Sequence, residues 1–121
     1  MKDLLQETDT VAVTAVSIGR LLTEHKGTDV IIMDMRPLNF WTDFFIITTI
    51  TSRVHLNGLE RHIKEFTAEN DLPMRSYRSA DKESDEWHLV DLGDIVIHLM
   101  TEKTRDFYEL ENLWSSARVL K

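Results

Sequence analysis

The sequence predicts an α/β fold, a single layered structure in which helices pack on a mixed sheet of about five strands. Three observations carry that prediction. Two stretches place apolar residues at helical spacing, Val11, Ala15, Ile18 and Leu22 in one and Leu56, Leu59, Ile63 and Phe66 in the other. Two short runs, Asp29 to Met35 and Phe44 to Thr49, are dominated by Val, Ile, Phe and Met and read as strands. Finally, Trp87 to Met100 sets two β-rich runs about a Gly-containing turn, the pattern of a hairpin.

In chain order, residues 1–9 are acidic and without period, a frayed lead-in. The first helix has Asp9 or Thr10 as its cap and Gly27 as its stop. It is rich in Val and Thr, so packing rather than intrinsic propensity must hold it. The strand from Thr28 to Met35 is apolar on both faces at its centre, as a strand covered by helices is. Arg36-Pro37-Leu38-Asn39 breaks the pattern before the second strand, which ends near Ile50. Ser52 is the natural cap of the second helix, and Asn70-Asp71-Leu72-Pro73 closes it. Met74 to Arg78 is a short strand, and Ser79 to Glu86 a charged loop. After the hairpin, Thr101 or Thr104 caps a last helix whose Phe107, Leu110 and Trp114 share a core-facing side. Tyr108 lies about 100° around from Phe107, on the flank. Residues 115–121 form a tail, and the whole of 1–121 reads as one domain.

Side chains alternate along strands, so the hairpin's loop length follows from which residues belong together. A two-residue loop at Leu92-Gly93 would mix charge with core. A three-residue loop groups Trp87, Leu89, Ile95, Ile97 and Leu99 on one face. His88, Val90, Val96, His98 and Met100 then share the other. That register is the expected one, with Gly93 supplying positive φ.

The 121 residues are 42% hydrophobic and 29% charged, within the globular range. No apolar run reaches the roughly 18 residues that span a bilayer, and the acidic N-terminus has no signal-peptide pattern. With no cysteine, disulfides and thiolate chemistry are excluded, which fits a cytoplasmic protein. A net charge of −7 argues against holding nucleic acid through phosphate contacts, but suits a basic protein partner.

Two chemistries lack the residues they need. Nucleotidyl transfer needs a Gly-Ser turn for the triphosphate and carboxylates at i, i+2 for Mg²⁺. The chain has no Gly-Ser pair, and Arg36 follows Asp34 two residues on. A metal cluster of His88, His98, Asp91 and Asp94 lacks a third ligand at a convincing spacing. Asp residues at a tight turn more often bond the turn's own amides.

Trp87 followed by Val90-Asp91-Leu92-Gly93-Asp94-Ile95-Val96-Ile97-His98, and then Arg105-Asp106-Phe107-Tyr108-Glu109-Leu110-Glu111-Asn112-Leu113-Trp114, resemble the ribosomal silencing factors, the Iojap-related proteins. Asp29-Val30 through Met33-Asp34, Thr42-Asp43 through Ile47, and Thr51-Ser52 look like that family's other signatures. The likeness runs from about Ala15 to Trp114. Ile50 stands where the family usually has Gly, His55 where it has Gln and Phe44 where it has Tyr. The Glu-Gly that usually precedes the Trp falls at about Ala80-Asp81.

The resemblance implies a fold similar to the nucleotidyltransferase core without its catalysis, with no catalytic residue, cofactor or metal. It implies binding to the large ribosomal subunit through a basic protein of the subunit interface, number fourteen of the L series. It further implies that the bound protein blocks the small subunit and so lowers translation when nutrients are scarce. It also implies a homodimer when free. The alternative is a nucleotide-binding protein or enzyme on the same fold.

The expected docking surface is made by the hairpin and the last helix. Trp87, Leu92 and Tyr108 are its apolar anchors, and Asp91, Asp94 and Glu111 its acidic complement. Arg105 is most simply an i, i+4 partner of Glu109, though the family's preference for Arg there hints at more.

Overall fold

A computed structural model describes residues 9–38, 41–79, 86–113 and 118–119. The elements are α1 (Thr10–Glu24), β1 (Thr28–Asp34), a 3₁₀ turn (Arg36–Leu38), β2 (Phe44–Ile50), α2 (Arg53–Glu69), β3 (Ser76–Ser79), β4 (Trp87–Asp91), β5 (Ile95–Thr101), α3 (Glu102–Tyr108), α4 (Leu110–Leu113) and β6 (Arg118–Val119). The strands form one mixed sheet in the order β3-β4-β5-β2-β1-β6. Among the described residues only β2 and β5 run parallel, and the other neighbours are antiparallel. The five expected strands are joined by a two-residue sixth in what reads from sequence as a tail.

The caps show why the helices begin where they do. Asp9 accepts the Ala12 amide at 3.1 Å, and the Ser52 hydroxyl accepts the His55 amide at 3.0 Å. At the end of α1 the left-handed residue is Lys26 (φ 76°) rather than Gly27, whose amide donates to Leu22 O at 2.7 Å. Gly27 is there for space, since a Cβ would sit 2.6 Å from Thr48 Oγ1. The two departures at the β2–α2 junction fit the chain without strain. Ile50 is a buried strand residue, and the Thr51 amide donates to His55 Nδ1 at 3.1 Å, leaving His55 Nε2 to donate to His25 O.

Two cores lie on the two faces of the sheet. The larger packs Ala15, Ile18 and Leu22 of α1 and Leu56, Leu59 and Ile63 of α2 against Ile32, Phe44, Ile46, Val90, Ile95, Ile97 and Leu99. The smaller gathers Met33, Met35, Phe45, Ile47, Val96 and Met100 under Leu110, with Trp87 and Leu89 at its margin.

The hairpin corrects the expected register. Three residues separate the strands, yet Asp91 pairs with Val96, Val90 with Ile97 and Leu89 with His98. Leu92 N donates to Ile95 O at 2.8 Å, closing a two-residue turn of Gly93 (φ 93°) and Asp94. Trp87, Leu89 and Asp91 therefore share a face with Val96, His98 and Met100. His88, Val90 and Leu92 share the other with Ile95, Ile97 and Leu99.

The last helix is also corrected. It starts on Thr101, whose hydroxyl accepts the Thr104 amide, but breaks after Tyr108. Glu109 takes left-handed φ (47°), and a separate short helix, α4, begins at Leu110. Leu110 is buried as expected, whereas Phe107 is 77% exposed. Trp114 lies outside the described residues.

Candidate functional site

The outer face of β4 is the part of the second sheet face that the fold leaves half open. Trp87, Leu89 and Asp91 point to that side and are each half-buried, whereas His88 and Val90 between them are buried. The last two residues of α3 add two more rings. The Trp87 and Tyr108 rings lie 4.8 Å apart, and Phe107 meets Tyr108 edge-on at 5.0 Å. Tyr108 is 47% exposed, so Trp87, Phe107 and Tyr108 form a continuous aromatic patch at the surface.

The patch is braced from below and from the side. Trp87 Nε1 donates to Nδ1 of the buried His98 at 3.1 Å, and Phe45 packs edge-on against His98 at 4.5 Å. Beside Trp87, the Glu86 carboxylate accepts the Thr104 hydroxyl at 3.1 Å, and Glu86 O accepts the Thr101 amide at 2.9 Å. The strand start and α3 are thus tied together.

The remaining expected site residues are placed differently. Leu92 is only 6% exposed, closing the larger core, so it does not serve as a surface anchor in this conformation. Asp91 spends an oxygen on the Gly93 amide at 2.8 Å. Asp94 is exposed, but it sits at the turn, roughly 14 Å along the strand from Trp87 at the usual rise per residue. Its carbonyl accepts the Asp43 and Phe44 amides.

Arg105 is buried at 7% exposure rather than paired with Glu109 on the surface. Its Nε and Nη2 each reach Glu111 Oε2 at 3.0 Å, and Nη1 donates to Thr49 Oγ1 at 2.9 Å. Arg105 and Glu111 therefore fasten α3 and α4 to the end of β2. On the far side of α3 an open cleft of about 660 Å³ is lined by Asp29, Glu102, Asp106, Glu109 and this Arg105–Glu111 pair.

Sequence reasoning missed Phe107 and Leu89. A signal for Leu89 was available, since it alternates with two residues assigned to the surface. Nothing local marked which face of α3 is buried, Thr104 and Arg105 rather than Phe107.

The expected sharing of one face by His88 and His98 does not occur, because the even register turns them to opposite sides. Among the described residues no group of three His, Asp or Glu side chains is placed to hold a metal ion. Zn²⁺ at tenfold molar excess is expected to leave the melting temperature unchanged, and a rise of several degrees would contradict this.

Burial pushes the His98 imidazole down from 6.5 to about 3, and it lowers His88 as well. Below pH 6.5 the unfolded chain takes up a proton on His98 that the folded chain refuses, so stability falls with acid. Between pH 7 and pH 5 the His98 contribution is a loss of about 2 kcal/mol, measurable by urea unfolding. A His98→Leu variant is expected to lose that much less over the same interval.

A mixed sheet with two helices on one face, and an open aromatic strand on the other, is an α/β fold offering a surface for docking. The chain belongs to the family described as "Ribosomal silencing factor during starvation", which it matches over residues 8–121. It is 31% identical over 94 residues to the ribosomal silencing factor RsfS of Bacillus subtilis, covering 78% of each chain. It is 31% identical over 103 residues to the chloroplastic protein Iojap of maize (Zea mays), covering 85% of this chain and 44% of that one. Against a mouse (Mus musculus) protein named for mitochondrial assembly of the ribosomal large subunit, it is 33% identical over 96 residues, covering 78% and 42%. The chain thus spans under half the length of the maize and mouse relatives. A crystal structure of a protein from Chromobacterium violaceum superposes with a TM-score of 0.73 at 29% identity, covering 84% of each chain.

Proposed function

We propose that this protein is a ribosome-docking repressor. It binds the large subunit through a basic protein at the subunit interface, number fourteen of the L series, and hinders the small subunit from joining. It does so by occlusion and performs no chemistry. The observation that carries the reading is the braced aromatic patch of Trp87, Phe107 and Tyr108 along an open strand face. Large rings held in place before binding give contact area at little entropic cost. Leu89 and Asp91 extend the patch along β4. The acidic cleft behind α3, with Asp29, Glu102, Asp106 and Glu109, contributes negative charge that steers a basic partner.

The family name and the mouse relative's name support a ribosomal partner and a large-subunit partner respectively. The reading takes 1–121 as one domain acting in the cytoplasm and as a homodimer when free. Among the described residues no helix is long and apolar enough to cross a membrane.

Co-sedimentation with purified subunits tests this. The protein is expected to travel with the large subunit and not the small one, and to release as salt is raised. Absence from the large-subunit fraction at low salt would refute the proposal.

A further inference from the structure

His98 is a buried imidazole whose place in the fold calls for an explanation. It is 5% exposed, in the middle of β5, between Phe45 and Trp87. Indole N–H is only a donor, so the 3.1 Å contact from Trp87 Nε1 makes His98 Nδ1 an acceptor without a proton. The neutral ring then carries its hydrogen on Nε2. That atom is buried and has no hydrogen-bond partner among the described residues. A buried donor left unmet is unfavourable, and an apolar side chain at this position would avoid it. What the imidazole supplies, and an apolar side chain does not, is an acceptor beneath Trp87.

We propose that His98 is the positioning residue of the docking patch, a fixed acceptor that pins the Trp87 indole against Tyr108 and turns its N–H inward. The inference deepens the docking reading and rests on it. It also states the recognition chemistry. With its N–H spent inside, Trp87 offers a partner its ring face and carbon edge. The partner group that meets it is therefore apolar or a guanidinium stacked on the ring, not a hydrogen-bond acceptor.

The test begins on the unaltered protein. In ¹⁵N-histidine-labelled protein, His98 is expected to show a proton on Nε2 and a bare Nδ1. The opposite tautomer would overturn the proposal. Next, the Trp87 indole ¹H–¹⁵N resonance, assigned by its loss in Trp87→Phe, is followed in two variants. His98→Leu is expected to shift the resonance upfield, speed its solvent exchange and weaken large-subunit co-sedimentation at least about tenfold. His98→Asn, which returns an acceptor oxygen near the place of Nδ1, is expected to restore most of both. Circular dichroism establishes that each variant is folded.

An unchanged indole resonance in folded His98→Leu would overturn the pinning. A shifted resonance with unchanged co-sedimentation would overturn the positioning role while leaving the docking reading intact. Were the unaltered protein itself to miss the large subunit, the docking reading would fall, taking the recognition role with it. The tautomer and the indole resonance would still decide whether His98 pins Trp87.

Discussion

Truncating Trp87 to Ala is expected to weaken large-subunit binding by about 2–4 kcal/mol, roughly 30- to 700-fold in affinity. Trp87 is the ring at the centre of the patch, in contact with Tyr108 at 4.8 Å and tied to His98 beneath it. Its loss removes the apolar contact and frees Tyr108 to turn. The fold should survive, because Trp87 lies at the margin of the smaller core rather than inside it. Phe107→Ala is the companion change. At 77% exposure its effect on stability should stay within about 0.5 kcal/mol, while its effect on affinity should be easily measured. Affinities come from titrated co-sedimentation, and stabilities from urea unfolding of the same preparations. Full affinity in a folded Trp87→Ala, Phe107→Ala double variant would place the docking surface elsewhere on the molecule.

Arg105→Ala is expected to cost about 3 kcal/mol of folding stability, read as a fall in melting temperature of roughly 10 °C or more. The guanidinium holds Glu111 Oε2 and Thr49 Oγ1, tying α3 and α4 to the end of β2. Removing it leaves the Glu111 carboxylate and the Thr49 hydroxyl without that partner. Glu111 is partly hydrated, with its side chain 28% exposed, which keeps the cost at the lower end for a broken buried pair. Arg105→Met, which fills the space with an apolar chain, should be milder than Ala. An Arg105→Ala protein as stable as the unaltered one would show that the pair does not carry the α3–α4 attachment. Since the aromatic patch depends on where α3 sits, the Ala variant should also bind the large subunit less well.

Much of the fold could be read from the residues because local pattern and tertiary structure agree. The stripes Ala15-Ile18-Leu22 and Leu56-Leu59-Ile63 are buried as helix faces. Asp9 and Ser52 cap where their side chains predict. Phe44 to Ile50 is buried on both faces, as the continuous apolar run implies.

The hairpin register differs from the one that polarity predicts. Grouping by polarity assumed that charge and core do not share a face. β4 breaks that assumption because its outer face is only half covered, so Asp91 and Trp87 lie together on it. The turn chemistry at Gly93-Asp94 decided the register instead.

The site was harder to read, because its surface depends on long-range placement. Leu92 looks like an exposed turn residue, yet it folds inward to close the larger core. Arg105 has Glu109 at helical spacing, but the left-handed turn at Glu109 carries Glu111 to it instead. Phe107 is exposed because α3 buries the Thr104–Arg105 side instead. Helical periodicity alone could not anticipate a non-Gly residue with positive φ.

Once on the large subunit, the protein is proposed to stand in the way of the small one. Light scattering from purified subunits mixed at joining conditions measures that directly. Large subunits pre-incubated with a molar excess of the protein should join slowly or not at all, and those pre-incubated with Trp87→Ala should join at the normal rate. If large subunits saturated with the unaltered protein join small subunits at the full rate and extent, occlusion is not how it works.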